Sequence, residues 1–244
     1  MNIIFLLLGL ATGSFLNLCI DRVPRGESVI RNPSRCDACR HRLGSVDLLP
    51  LASYLYLKGR CRHCGASIHY RTPLVEAATG IIFVLLWYYY GPSLELLLAV
   101  VFTCLLTVIL VIDLEHHLIP NRVIYPSLAI AFLVPALIPG YTVTSAAAGA
   151  LTGAGMLLPL ALLFPSGMGM GDVKLAALIG LLLGFPKVFA AILATFVIAG
   201  SVASVLLITG VKGRKDPIPL APFFVTGLVA TMLYGQEILK LFWR

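Results

Sequence analysis

Six side chains in this sequence have the types and spacing for chemistry: two aspartates and four cysteines. Asp113 stands in "VIDLEHHLIPNRVIYP" and Asp172 in "GMGMGDVKL", each at the edge of a long apolar run. Singly, each has a plain explanation. Asp172 could cap the helix that follows it, and Asp113 could mark where a helix leaves lipid. Together, at one membrane level on two helices of a packed bundle, two carboxylates can share one proton, so that one is an acid while the other is a base. Such a pair does the chemistry of an aspartic peptidase. The base draws a proton from water, the water attacks a peptide carbonyl, and the acid protonates the developing oxyanion. Glycines just before Asp172 would let a peptide backbone pass close to its carboxylate.

Cys36 and Cys39 form one C-x-x-C pair and Cys61 and Cys64 a second, with 21 residues between the pairs. Two such knuckles complete a tetrahedral four-thiolate zinc site, although the spacer is slightly longer than usual. The alternatives are two disulfides or four unliganded thiols. In a reducing compartment thiols do not pair, which favours zinc if this segment is cytosolic. The segment has few large apolar residues, so bound metal would supply much of its folding free energy and the site would be structural. His41, His63 and His69 lie nearby, but four cysteines already close the coordination shell, leaving each histidine a solvated surface role. Cys19 and Cys104 fall inside apolar runs, where a lone cysteine behaves as a small hydrophobe.

The elements that must position these residues are membrane helices. Of 244 residues, 59% are apolar and 12% charged, about half the charge of an ordinary soluble domain. Apolar runs near the roughly 20 residues a helix needs to cross hydrocarbon predict about eight transmembrane helices, at 2–20, 74–91, 94–112, 122–138, 145–164, 173–185, 187–209 and 219–241. The fold class is therefore an all-α polytopic membrane protein, with a small four-cysteine module between helices 1 and 2. The expected division is 1–20 as the first transmembrane helix, 21–72 as the zinc-binding loop domain, and 73–244 as the bundle carrying the aspartates. The first run lacks a basic residue ahead of it and meets "DRVPR" after it, the reverse of a secretory signal, so it is expected to be retained. Ten of the 18 Lys and Arg lie in 21–72, which places that segment in the cytosol and the N-terminus outside. Alternation then puts 113–121, 165–172 and 210–218 on the cytosolic side, both aspartates included. The net charge of +7 sits in loops flanking spans, and attraction to the anionic inner leaflet accounts for it; no nucleic-acid motif accompanies it. No internal repeat is apparent. The small residues of 145–155 and 190–204 predict close helix packing.

Other polar residues carry weaker signals. Glu115, His116 and His117 are adjacent and point different ways on a helix end, which does not make a metal site. Glu76 is a polar residue in apolar surroundings. Lys174, two residues past Asp172, could bias the charge of the aspartate pair or only snorkel to headgroups. A G-x-G-x-x-G match starting at Gly167 or Gly169 would need glycine at Asp172 or Lys174, so no phosphate-cradling loop is present.

In this order the motifs resemble the bacterial type IV prepilin peptidases, or prepilin leader peptidase/N-methyltransferases, over nearly the whole chain. "GSFLNLCIDRVP" (13–24) is similar to the opening signature of that family, "CDAC…DLLPLASYLYLKGRCRHCGASI" to its cytosolic four-cysteine loop, and "RTPLVEAATG" (71–80) follows in the same order. "IDLEHHLIPN" (112–121) and "GMGMGDVKLAALIGLLLGF" (167–185) resemble its paired catalytic-aspartate motifs, which carry over to Asp113 and Asp172. The resemblance implies an enzyme of the bacterial cytoplasmic membrane that cleaves the basic leader of prepilins and pseudopilins at the cytosolic face. It also implies methylation of the new N-terminal amine with S-adenosylmethionine, at a cofactor site the sequence does not locate. Asp37, where the family often has proline, and Ala221, where it often has glycine, are small departures that touch neither aspartates nor cysteines. Two rivals differ in specific ways. A proton-coupled transporter would favour broken helices with ionisable groups near mid-membrane, whereas these aspartates lie at one edge. A presenilin-like protease shares the glycine-any-glycine-aspartate motif but has no place for the cysteine module.

Overall fold

A computed structural model describes residues 1–30, 33–44, 46–165, 167–213 and 216–242. Of the basic loop residues counted above, Arg31, Arg214 and Lys215 lie outside the described residues. Among the described residues the chain is helical, with isolated bridges Arg35↔Arg42 and Arg60↔Ser67 in place of strands. Nine helices follow in order among the described residues: α1 (Asn2–Arg22), α2 (Ala52–Tyr56), α3 (Arg71–Tyr90), α4 (Leu94–His116), α5 (Asn121–Leu137), α6 (Val143–Leu163), α7 (Met170–Leu183), α8 (Lys187–Ile208) and α9 (Ala221–Phe242). All but α2 coincide with the eight apolar runs, and α1, α3, α4, α6 and α8 are long and apolar enough to cross a membrane. The chain is a multi-pass membrane protein.

Two compact units are present, Met1–Val108 and Ile109–Arg244. In the first, α1 packs along α3. Contact is close because Gly9 and Gly13, four residues apart, form one bare stripe on α1. A Cβ at Gly9 would lie 2.7 Å from the Gly80 Cα, and one at Gly13 would lie 2.7 Å from the Glu76 Cα. Lipid tails are as apolar as leucine, so helices gain little by hiding apolar area from them; dispersion between close backbones holds such pairs together.

The second unit is built round α7, which packs against α5, α6, α8 and α9. Leu175, Ala176, Leu178 and Ile179 are fully buried on it. Its tightest neighbour is α6, where Gly149 faces Gly180 and Gly153 faces Ala176, again small residues four apart on both helices. At its far end Gly184, with φ +71°, stops the helix. The Tyr141 hydroxyl donates to the Leu181 carbonyl at 2.6 Å, satisfying an acceptor the helix leaves open. Fourteen residues rise only about 21 Å, short of the ~30 Å of hydrocarbon. A helix this short, walled by four others, can start below a membrane surface and still be surrounded by protein.

Replacing Gly149 or Gly180 by Ala would drive a Cβ into the backbone of the facing helix. Each is expected to lower the stability of the purified protein by about 1–3 kcal/mol. Gly155 on α6 has open space where a Cβ would go, so Gly155→Ala should leave stability unchanged or raise it by up to ~1 kcal/mol. Thermal unfolding of the three variants in detergent checks the contrast.

Candidate active site and metal centre

The helix that carries Asp113 runs on to His116, so this aspartate lies in the last turn of α4, beyond the expected end of the apolar run. Its side chain is only 5% exposed. The Oδ2 atom accepts a hydrogen bond from the Ala221 N–H, the first of α9, at 2.8 Å. Asp113 thus stabilises the start of another helix by offering an acceptor to an N–H that has no partner within α9.

Asp172 is not the cap residue of α7. The helix begins at Met170, three residues earlier than the run at 173–185 indicated, with Gly169 as cap and Asp172 in the third helical position. From there its Oδ2 reaches back to the Gly169 N–H at 3.0 Å, while its own N–H donates to the Gly169 carbonyl at 3.1 Å. Sequence reasoning misplaced the start because Gly-Met-Gly has poor helix propensity; the reciprocal bonds override it.

Asp113, in the last turn of α4, and Asp172, in the first turn of α7, belong to the same compact unit. Local packing brings α4 and α7 to this arrangement. After α4 the chain turns sharply at His117, whose φ is +53° and whose N–H still bonds the Asp113 carbonyl at 2.9 Å. Ile119 then lies against Gly171, where a Cβ would come within 2.9 Å of the Ile119 Cβ. Gly171 is therefore consumed by the protein's own packing, whereas the space around Gly167 and Gly169 would accept a Cβ at ordinary distance. Close approach by another backbone, expected of all these glycines, is blocked at Gly171 by Ile119. Lys174 is tied to α5, with its Nζ donating to Asn121 Oδ1 at 2.7 Å and sitting 4.7 Å from the centre of the Tyr125 ring.

In the first unit, the Sγ atoms of Cys36, Cys39, Cys61 and Cys64 all lie within 4.8 Å of one another, and those of Cys36 and Cys64 are 3.9 Å apart. Thiolates about 2.3 Å from a tetrahedral zinc would be about 3.8 Å apart, so the donor set and spacing fit the ion. Backbone N–H groups of Cys64 and His63 hold the Cys61 thiol down to about 7, towards the thiolate form that binds metal, while contact with the other thiols pushes Cys64 up to about 11.

The module also contains a repeat that the sequence reading did not find. The Cys36 N–H bonds the His41 carbonyl and the Arg40 N–H the Cys36 carbonyl; the Cys61 N–H bonds Ala66 and the Gly65 N–H bonds Cys61 in the same way. Arg40 and Gly65, each just after the second cysteine of its knuckle, both have positive φ, at +59° and +73°. The shared signal was only the short string R-C-x-x-C, too brief to register as a repeat. His41 and His63 lie against each other, with ring centres 3.6 Å apart and planes tilted by 33°, instead of standing separately in solvent. Arg62 pairs with Asp47 at 2.9 Å.

Buried polar residues anchor this module to α1 and α3. Glu76, 4% exposed, accepts the Leu51 N–H on Oε2 at 2.8 Å. Asn17 donates to the carbonyls of Thr72 and Gly13 at 3.0 and 3.2 Å. Arg22 donates to the carbonyls of Ser28, Val29 and Pro33, and Arg71 pairs with Asp21 at 2.6 Å. Asn17 and the Ala221 N–H were not anticipated. A buried Asn in an apolar span was a visible signal, as was Pro222, since proline in a first turn marks a helix start; the partner of neither could be read.

A multi-pass helical membrane protein with two carboxylates at helix ends in one unit and four clustered thiols in the other is what fold and sites define. Residues 7–90 match the family model of the bacterial peptidase A24 N-terminal domain, and residues 100–205 that of the type IV leader peptidase family. The chain is 35% identical to a prepilin leader peptidase/N-methyltransferase of Bacillus subtilis (strain 168), over 98% of this chain and 96% of the relative. It is 32% identical to one of Dichelobacter nodosus, over 97% and 92%. A third, of Stutzerimonas stutzeri, is 29% identical over 96% and 90%. No solved structure matches. The chain belongs to the type IV leader peptidase family.

The bond from Asp113 to α9 separates two effects of substitution. Asp113→Asn keeps an acceptor for the Ala221 N–H and should retain wild-type stability. Asp113→Ala leaves that N–H unpartnered and should cost about 0.5–2 kcal/mol. Thermal unfolding checks this, and equal stability of the two variants would contradict the bond's role.

Proposed function

We propose that this protein cleaves the leader peptide of prepilins or pseudopilins at the cytosolic face of the bacterial cytoplasmic membrane, with Asp113 and Asp172 as a catalytic pair. The observation that carries the reading is the placement of Asp113 in the last turn of α4 and Asp172 in the first turn of α7, within one compact unit, on a chain whose relatives are named prepilin leader peptidase/N-methyltransferase. Each carboxylate has Oδ2 held by a backbone N–H. Such bonds fix the side chains and leave proton transfer to the remaining capacity of the pair. One aspartate takes the proton of a water, the water attacks the scissile carbonyl, and the other protonates the developing oxyanion. Cytosolic placement is supported by the ten Lys and Arg in 21–72.

The same relatives support N-methylation of the newly exposed amine, for which S-adenosylmethionine would supply an electrophilic methyl group. Residues 21–72 are assigned to that second activity, with Cys36, Cys39, Cys61 and Cys64 holding a structural zinc. The zinc would fix the two knuckles against each other, and with them the strands of chain that Glu76 and Arg22 anchor.

Asp113→Asn and Asp172→Asn are each expected to reduce leader cleavage by about 10²- to 10⁴-fold, with protein level, insertion and metal content unchanged. Wild-type cleavage should follow a pH profile with coupled apparent pKa values belonging to the pair. Mass spectrometry of a co-expressed pilin is the readout. Near-normal cleavage by either variant at matched expression overturns the two-aspartate mechanism, and an intact pilin together with solute uptake by the wild type would indicate a transporter.

The purified protein should carry one zinc. Replacing Cys61 and Cys64 together by Ser is expected to remove it, increase proteolysis within 21–72, and impair methylation at least as much as cleavage. Full zinc content in the double variant rules out this coordination.

A further inference from the structure

The cysteine module turns apolar side chains outward along one stretch. In α2, Ala52, Leu55 and Tyr56 are exposed, Leu55 by 73% and Tyr56 by 80%, whereas Ser53 and Tyr54 are partly covered. Positions i, i+3 and i+4 share one face of a helix, so the exposed face is the apolar one, the inverse of a helix resting on a protein core in water. Val46, Leu48 and Leu49, just before α2, are also exposed, at 58%, 40% and 51%. A patch of this kind on a soluble surface marks an interaction site.

The level at which it is held identifies the partner. Leu51, the residue that caps α2, is bonded through its N–H to Glu76. Glu76 is the sixth residue of α3, about 7.5 Å along the axis from its start. The 20 residues of α3 span about 30 Å, the thickness of the hydrocarbon core. With α3 spanning the core end to end, a segment tied there lies about 7.5 Å inside the hydrocarbon edge. Interfacial helices bury their apolar faces about 5–10 Å deep at that boundary. Lys58 and Arg60, exposed directly after α2, supply the positive charge that anionic headgroups attract. The chain runs on from this segment through the second knuckle into α3, which is long and apolar enough to cross a membrane.

We propose that residues 46–60 form an interfacial membrane segment, with α2 lying in the plane of the bilayer. Leu55 and Tyr56 face the acyl chains, and Lys58 and Arg60 face the headgroups. The cysteine module is on this view a membrane-apposed platform, held by lipid on one side and by Glu76 at its centre.

The test uses the full chain in proteoliposomes. The native tryptophans, Trp87 and Trp243, are replaced by Phe, and one Trp is introduced as Leu55→Trp, Tyr56→Trp or, as a control on the exposed tip of the first knuckle, Asp37→Trp. The vesicles are phosphatidylcholine with phosphatidylglycerol, with or without brominated phosphatidylcholine as the quencher. Trp at 55 and 56 should emit at shorter wavelength than Trp at 37, lose intensity with brominated lipid, and resist aqueous acrylamide. Trp at 37 should do the opposite. Acrylamide quenching at 55 and 56 without quenching by brominated lipid overturns the proposal. So does equal lipid quenching at all three positions, which would mean unspecific contact. If 55 and 56 are aqueous until an apolar pilin-helix peptide is added, the face belongs to substrate and the proposal fails. Retained leader cleavage by each variant establishes that the labelled chain is folded, and the two labels at 55 and 56 give independent measurements of the same face.

Discussion

Three buried or half-buried carboxylates in this protein each accept a backbone N–H at the start of a helix: Asp113 at α9, Asp172 at α7 and Glu76 at α2. Hydrocarbon offers such N–H groups no partner, and an unmet one costs several kcal/mol. Carboxylates face the complementary difficulty, since burial without donors is expensive for them as well. Putting one on the other resolves both, and it fixes where each acid can be. The proposed catalytic pair is thereby held by the same contacts that let helices begin inside a membrane protein.

Small residues make those contacts reachable. Gly149, Gly153, Ala176 and Gly180 bring α6 and α7 into backbone contact, and Gly171 admits Ile119 beside Asp172. Each close approach removes freedom from a helix too short to span the bilayer by itself. Rigid placement matters because a shared proton depends on distance: a carboxylate pair separated by a loose crossing would act as two independent acids.

The cysteine module uses different means. Its two knuckles repeat the same turn, with the same backbone bonds and the same left-handed residue after the second cysteine. Between them lies little apolar core, and apolar residues that would build one, Leu55 and Tyr56 among them, point outward instead. Four clustered thiols and the bonds from Glu76 and Arg22 therefore carry the organisation of this segment.

Much of this was legible in the linear sequence. Runs of apolar residues set eight helices within a few residues, and hydrocarbon thickness dictates the length of the five long enough to cross it. Cysteine spacing identified the four-thiol cluster, since a C-x-x-C turn is a local geometry. Both aspartates stood out as charge at the edge of lipid, and small residues at 145–155 foretold the α6 contact. What the sequence left open were the identities of partners. That Asp172 sits in the third position of α7 and not before it, that Gly171 serves Ile119, and that Glu76 meets Leu51 all depend on chain segments distant in sequence or on bonds stronger than local propensity. Nothing in the sequence told which way the apolar residues of α2 face; the folded module turns them outward. Length, charge and ligand spacing are constraints each segment meets alone; the pairing of a buried carboxylate with one particular N–H is a constraint that two segments meet together, so only the tertiary structure decides it.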